Sequence, residues 1–269
     1  MRTWAVVASV ILPLAVAQSN GDLDLGVKAI EAHFNQSHIV PDLLSSFQPQ
    51  ALLDINFGQG NVQPGQKFTK EQVGSAPTLT VQSTSSLSGN YLLAMIDADV
   101  PNSKPSQGTN RHWLLRGVTV GQDSVVSNTS ATVTTRYWGP WPPAGSGPHR
   151  YVIMLYSQPD SFAPPSDFAG TDMPVAPMDW NAYVTNSHLG NLIAANYIQV
   201  EEGTTSASIF STAPVVTSTL AASATGSNSA SPSSSANSSN NNENNGASAM
   251  SLSAPLVWGL TSLAALLLV

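Results

Sequence analysis

The chain contains no cysteine, which excludes disulfide staples, thiolate metal sites and a thiol nucleophile. Any fold it adopts must stand on a buried core. Charge is nearly as scarce: Asp, Glu, Lys and Arg make up 9% of the residues, against roughly 25% in ordinary soluble domains. Only 9 basic side chains oppose 16 acidic ones, for a net charge of −7. Binding a nucleic-acid backbone needs clustered Lys and Arg, so nucleic acid is excluded as a partner. No uninterrupted apolar stretch reaches the roughly 20 residues of a membrane-spanning helix. Ser, Thr, Asn and Gln keep the surface wet instead. Hydroxyls and amides suit a glycosylated extracellular surface, and three acceptor triplets fit that setting, beginning at Asn35, Asn128 and Asn237.

The two ends read as addresses rather than fold. Met1-Arg2 precedes an apolar run, Trp4 to Leu14, that closes on Ala15-Val16-Ala17. A basic start, a short apolar middle and a small-x-small site make a secretory signal peptide, expected to occupy 1–17. At the far end Leu252 to Val269 is apolar, short and without a flanking Lys or Arg, unlike a transmembrane anchor. Small residues around Asn244, Asn245 and Gly246 precede a polar spacer, the pattern of a GPI signal. Those three are the candidate attachment residues, and 248–269 is expected to be removed, leaving the protein on the outer face of the plasma membrane or in the wall. Between domain and anchor, 204–247 is dominated by Ser, Thr, Ala and Asn. Too few large apolar side chains exist there to offset chain entropy, so a disordered, O-glycosylated stalk is expected.

That leaves one domain at 18–203, long enough to bury a core without staples. Leu23, Leu25, Val27, Ile30 and Phe34 have near-helical spacing, with Asp22 as a possible cap, which predicts one short amphipathic helix. After it the pattern changes. Leu52 to Phe57, Thr78 to Gln82, Tyr91 to Asp97, Trp113 to Val118, Ser130 to Tyr137 and Tyr151 to Ser157 are short, apolar or alternating, and separated by Gly, Pro, Asn and Ser. These read as strands. A second helix is predicted near Phe162 to Phe168 or Asp179 to Leu189, with His188-Leu189-Gly190 as a stop. The predicted class is therefore mainly β with a few short helices.

Three clusters carry possible chemistry. Asp97-Ala98-Asp99-Val100-Pro101 follows an apolar strand, and two acids at i and i+2 of an extended chain point the same way, although Asp and Pro also favour plain turns. Arg111-His112-Trp113 opens the next strand, where a histidine can be structural or can titrate near neutral pH. The third runs from Gly139 to Tyr151, a loop of Pro and Gly that feeds His149-Arg150-Tyr151. Pro fixes φ and Gly permits close backbone approach, so such a loop holds one shape beside a ligand.

The order D-x-D-x-P, then H-[WF]-L-L, then Y-x-G-P-x-P-P-x-G-x-G-x-H-R-Y-V resembles the phosphatidylethanolamine-binding protein family, also called the Raf-kinase inhibitor protein family. The likeness covers nearly the whole domain, to a closing segment at Leu189 to Glu201. The ends add the expectation of a secreted, GPI-anchored, fungal-type member. The resemblance implies two packed antiparallel sheets with peripheral helices, and one small pocket for phosphate-like head groups. Carried over by position, Asp97, Asp99, Pro101, His112, Tyr137, Pro143, His149 and Tyr151 are the ligand-binding residues it implies, with Arg150 a structural neighbour holding loops through carboxylates. The chain departs from the family pattern at Ala98, where Pro is usual, and at Asn110-Arg111, where a Trp is usual.

Two imidazoles and a phenol can donate to anionic oxygens, and a neighbouring carboxylate favours protonated His. The pocket is therefore expected to be weakly cationic and to bind anions more tightly as pH falls toward about 5 to 6. The leading reading is a non-catalytic binding module for a phospholipid head group or similar small anion, without cofactor or metal. The alternative is an inhibitor of a secreted or vacuolar serine carboxypeptidase. A metal-dependent hydrolase built on Asp97, Asp99, His112 and His149, a serine hydrolase and a structural wall protein compete with these. Neither G-x-S-x-G nor H-E-x-x-H occurs.

Overall fold

The computed structural model describes residues 20–99, 109–204, 213–218 and 220. Pro101, Asn237, Asn244, Asn245 and Gly246, with the expected signal peptide and GPI tail, lie outside the described residues. Along the chain come α1 (Asn20–Gln36), a helical turn α2 (Ile39–Asp42), β1 (Leu52–Asn56), β2 (Gln66–Phe68), β3 (Thr78–Gln82), β4 (Asn90–Asp97) and β5 (Thr109–Val120). Then follow β6 (Val126–Ser127), β7 (Thr132–Thr135), β8 (His149–Gln158), a 3-10 turn (Ser166–Phe168), β9 (Ala176–Met178), α3 (Trp180–Asn186) and β10 (Leu192–Val200).

Two sheets result. β1 and β3 pair antiparallel, and the larger sheet has the order β2-β10-β8-β4-β5-β6, with β7 and β9 also on β5. All ladders are antiparallel except β2 on β10, which is parallel. This one ladder departs from the purely antiparallel pairing expected from sequence.

The alternation of each central strand divides the core in two. Tyr91, Leu93 and Met95 of β4, with Tyr151, Ile153 and Leu155 of β8, pack toward β1 and β3 against Leu53, Ile55, Leu79 and Val81. The intervening Leu92, Ala94, Ile96, Val152, Met154 and Tyr156 pack toward the helices against Ile30, Phe34, Ile39 and Trp180. Strands buried on both faces lose polar alternation and read as continuous apolar runs. Full burial of each large side chain contributes about 1.5–3 kcal/mol, so these central strands carry much of the fold.

The helices are fixed by simple local chemistry. α1 buries Leu23, Ile30 and Phe34 and ends where His38 turns left-handed at φ 55°. α3 is capped by the Asp179 carboxylate, which accepts from the Ala182 N–H at 2.9 Å. Both regions predicted for a second helix therefore hold one, a 3-10 turn and α3. Two sequon residues, Asn35 at the end of α1 and Asn128 after β6, are exposed. The chain beyond β10 also touches the domain: Gln36 Nε2 donates to Ala213 O at 2.8 Å, and Pro214 and Val215 wall a groove beside Ile30 and Leu52. Part of the segment expected to be a free stalk thus lies against α1.

Candidate functional site

A cavity of about 460 Å³ opens at the end of the large sheet where β4 stops and β5 and β8 start. Its polar wall is Asp97, the last residue of β4, His149, the first of β8, and His112 of β5, with Asn110 of β5 beside them. Strand periodicity explains two of them. His149 and Tyr151 share the face toward β1 and β3, while Arg150 between them points toward the helices. His112 needs a further device. Met95 pairs with Trp113 and Ile96 with Arg111, so His112 is the extra residue of a β-bulge. The bulge sends Arg111 over the Phe168 ring on the helical side, 5.2 Å from its centroid, and brings His112 edge-on to Tyr151, with centroids 5.1 Å apart.

The mouth is made by the Gly/Pro loop after β7. Trp138 N donates to His112 O at 2.9 Å, and Trp138 O meets His112 Nδ1 at 3.2 Å, so the loop is clamped to residue 112 from both sides. Gly139 sits where a Cβ would lie 3.0 Å from Val73 O and 3.1 Å from Gly74 Cα, so only glycine lets the loop approach. Trp138, Trp141, Pro143, Pro174 and Val175 complete the opening.

Inside, His149 Nδ1 lies 2.8 Å from Asp97 Oδ2 and Nε2 lies 2.8 Å from Ser146 Oγ, so both ring nitrogens are held. A carboxylate can only accept, so Nδ1 carries a proton toward Asp97. His112 is held more loosely. Burial pushes its pKa below the ordinary imidazole value, and the pull of Asp97 and the backbone carbonyls does not reverse this. Tyr151 lies between the two imidazoles, stacked on His149 at 6.3 Å. Its hydroxyl is buried without a full-geometry hydrogen bond, and the Asp97 carboxylate and the Trp141 backbone are its polar neighbours. Burial first, and then Asp97, raise the phenol's pKa, so it stays a donor.

Of the residues taken from the resemblance, Asp97, His112, Pro143 and His149 line the cavity, and Tyr151 lies buried between its two histidines. Asp99 and Tyr137 do not line it. The expectation that Asp97 and Asp99 point the same way fails because the chain turns as β4 ends: Asp97 Oδ1 accepts from the Asp99 N–H at 2.9 Å. Asp99 is instead gripped by Arg150, Nε to Oδ2 at 2.8 Å and Nη2 to Oδ1 at 2.7 Å, a bidentate pair. Arg150 Nη1 also donates to Ser37 O at 2.5 Å. Burial opposes the guanidinium charge, but Asp99 and Asp42 outweigh it and raise its pKa. Tyr137 donates to Val73 O at 2.7 Å and packs edge-on to Trp113, behind the mouth.

The weakly cationic pocket is corrected as well. Arg150 and Arg111 point away, Lys70 is paired with Glu202 at 2.8 Å, and His112 resists protonation. Sequence reasoning missed Trp138 and Trp141, which fill two of the five open positions of the loop motif, and Pro174-Val175, which arrive from a distant loop. Among the described residues no group of three His, Asp or Glu converges as metal ligands would.

The domain is thus a mainly β fold of two sheets, with a histidine-floored cavity at its strand ends and a Pro/Gly loop across the mouth. The family profile named Phosphatidylethanolamine-binding protein matches residues 45–205, more than half of the chain, and the protein belongs to that family. The 26 kDa secreted antigen of Toxocara canis is 27% identical over 168 residues, 61% of this chain and 61% of the antigen. The carboxypeptidase Y inhibitor of Saccharomyces cerevisiae is 26% identical over 174 residues, 52% of this chain and 78% of the inhibitor. A crystal structure of carboxypeptidase Y inhibitor complexed with its cognate proteinase shares the fold, with TM-score 0.55 at 21% identity, over 65% of this chain and 96% of that one. The chain spans less than two thirds of the length of several curated relatives it matches, 61%, 66% and 65%.

Proposed function

We propose that the protein is a non-catalytic, extracellular binding module whose cavity takes the head group of a phospholipid. The observation that carries this reading is the Tyr151 hydroxyl, buried between His112 and His149 without a full-geometry hydrogen bond and with only Asp97 and the Trp141 backbone beside it. A buried polar group left unpaired costs about 1–3 kcal/mol, and a phosphoryl oxygen reaching the cavity floor would satisfy it. With Asp97 already present and, among the described residues, no unpaired Lys or Arg lining the cavity, a zwitterionic head group suits the site better than free phosphate. Secretion with cleavage after Ala17, glycans on Asn35, Asn128 and Asn237, and a GPI anchor near Asn244 to Gly246 belong to the same proposal.

Calorimetry with phosphoethanolamine tests it. Wild type should bind, and His112→Ala/His149→Ala should lose at least tenfold in affinity; equal affinity, or no binding by wild type, would overturn the reading. A second reading, inhibition of a serine carboxypeptidase, is favoured by the similarity to the carboxypeptidase Y inhibitor in sequence and fold. Stoichiometric loss of peptidase activity on titration with the protein would support it, and undiminished activity at excess would rule it out.

A further inference from the structure

We propose that Trp138 and Trp141 form a membrane-contact rim that seats the cavity mouth on a zwitterionic lipid surface, so that a head group is taken while its chains stay in the bilayer. This rests on the head-group reading above. Among the described residues only three large hydrophobic side chains are strongly exposed, and two of them are these indoles, 48% and 76% exposed. Both belong to one rigid loop, and both line the cavity. In a water-soluble site for a free small anion, two solvated indoles at the mouth would have no use.

The order of polarity along the cavity gives the occupant. The floor is polar, with Asp97, His112 and His149, while the mouth is apolar, with the two indoles, Pro143 and Val175. A molecule that fits enters head first and leaves its apolar part at the mouth. For a phospholipid that part is two acyl chains, which the cavity cannot enclose and which water disfavours, so the mouth must meet the bilayer itself. Indoles suit this depth, because the ring is apolar and the N–H is polar.

Charge decides which surface. The Lys70 ammonium lies 5.9 Å from the Trp141 ring centroid, but Glu202 neutralises it at 2.8 Å. Arg136 beyond the rim is paired with Asp172 at 2.8 Å. With net charge −7 and, among the described residues, no unpaired Lys or Arg at the mouth, an anionic membrane would repel the protein, whereas a zwitterionic one would not.

The test compares the purified wild type with Trp138→Ala/Trp141→Ala, identical in both termini, in two assays. One is sedimentation with phosphatidylcholine/phosphatidylethanolamine vesicles, and the other is calorimetry with soluble phosphoethanolamine. Exposed indoles contribute little to the core, so the variant should keep the wild-type melting temperature. The expected result is a loss of at least tenfold in vesicle partitioning, at least threefold larger than any loss for soluble phosphoethanolamine, and recovery of partitioning in Trp138→Phe/Trp141→Phe. Equal partitioning of both proteins overturns the rim, as does wild type that binds phosphoethanolamine but not vesicles. Failure of wild type to bind either probe overturns the head-group reading and the rim with it. Tryptophan-dependent vesicle binding without phosphoethanolamine binding keeps the rim as a membrane contact and removes only the head-group reading.

Discussion

At the scale of single residues, the two histidines behave differently although each stands beside the same cavity. His149 is tied at both nitrogens, whereas His112 is buried with one contact to Trp138 O at 3.2 Å. Unfolded, an imidazole takes its proton at about pH 6.5; folded, His112 takes it only at lower pH. Between those values the unfolded chain binds more protons. The contribution of His112 to stability is therefore complete above about pH 6.5 and declines as pH falls through that window. Urea midpoints across this range should fall for wild type and fall less for His112→Asn; identical slopes would refute the assignment. A bound phosphoryl group would favour the protonated ring, so affinity should rise as pH falls and level off only below the ordinary histidine range, where unliganded His112 is protonated too. Much of this was legible in the motif, since His112, His149, Asp97 and Pro143 all line the cavity. The fate of Asp99 was not, because i and i+2 share a face only while the strand continues, and the turn at Asp97 ends it.

At the scale of elements, the long strands were readable because both their faces are buried, which leaves an apolar run with Gly and Pro at its ends. β4 begins one residue before its predicted segment and ends with it, and β3 coincides with Thr78–Gln82, whereas β10 lies in the closing segment Leu189 to Glu201, for which no strand was predicted. β9 escaped notice because Pro177 argues against a strand, yet it pairs with the outer side of β5, where proline is tolerated. β2 and β6 are three and two residues long, too short for any periodicity to register. The junction between α3 and β10 was predicted as a stop at Gly190, and packing gives the reason. A Cβ there would lie 2.2 Å from Ser157 Oγ and 3.3 Å from Ser157 O. Gly190→Ala should cost about 1–3 kcal/mol through overpacking, and Ser157→Ala in the same chain should recover most of it. Chemical denaturation of the double-mutant cycle measures this, and purely additive losses would exclude the contact as the cause.

At the scale of the whole molecule, Arg150 joins parts far apart in sequence: the turn after β4 through Asp99, the end of α1 through Ser37, and α2 through Asp42 at 3.6 Å. Arg150→Met would strand a carboxylate and a carbonyl, and should cost about 3–5 kcal/mol, toward the lower end because the Asp99 side chain keeps 19% exposure. A melting-temperature loss of only a degree or two would show that water replaces the guanidinium. No sequence pattern announced this tie, since its partners are separated by 51 and 113 residues. The outer side of β5 has a consequence of a different kind. Residues 109–111 are taken by β9, 114–116 by β7 and 119–120 by β6, while three-residue β2 covers the end of β10. Along these margins, among the described residues, neighbouring copies meet only short, broken strands, which offer no long ladder on which a second sheet could grow. Such a domain can be concentrated and remain a population of separate molecules rather than a film of fused sheets.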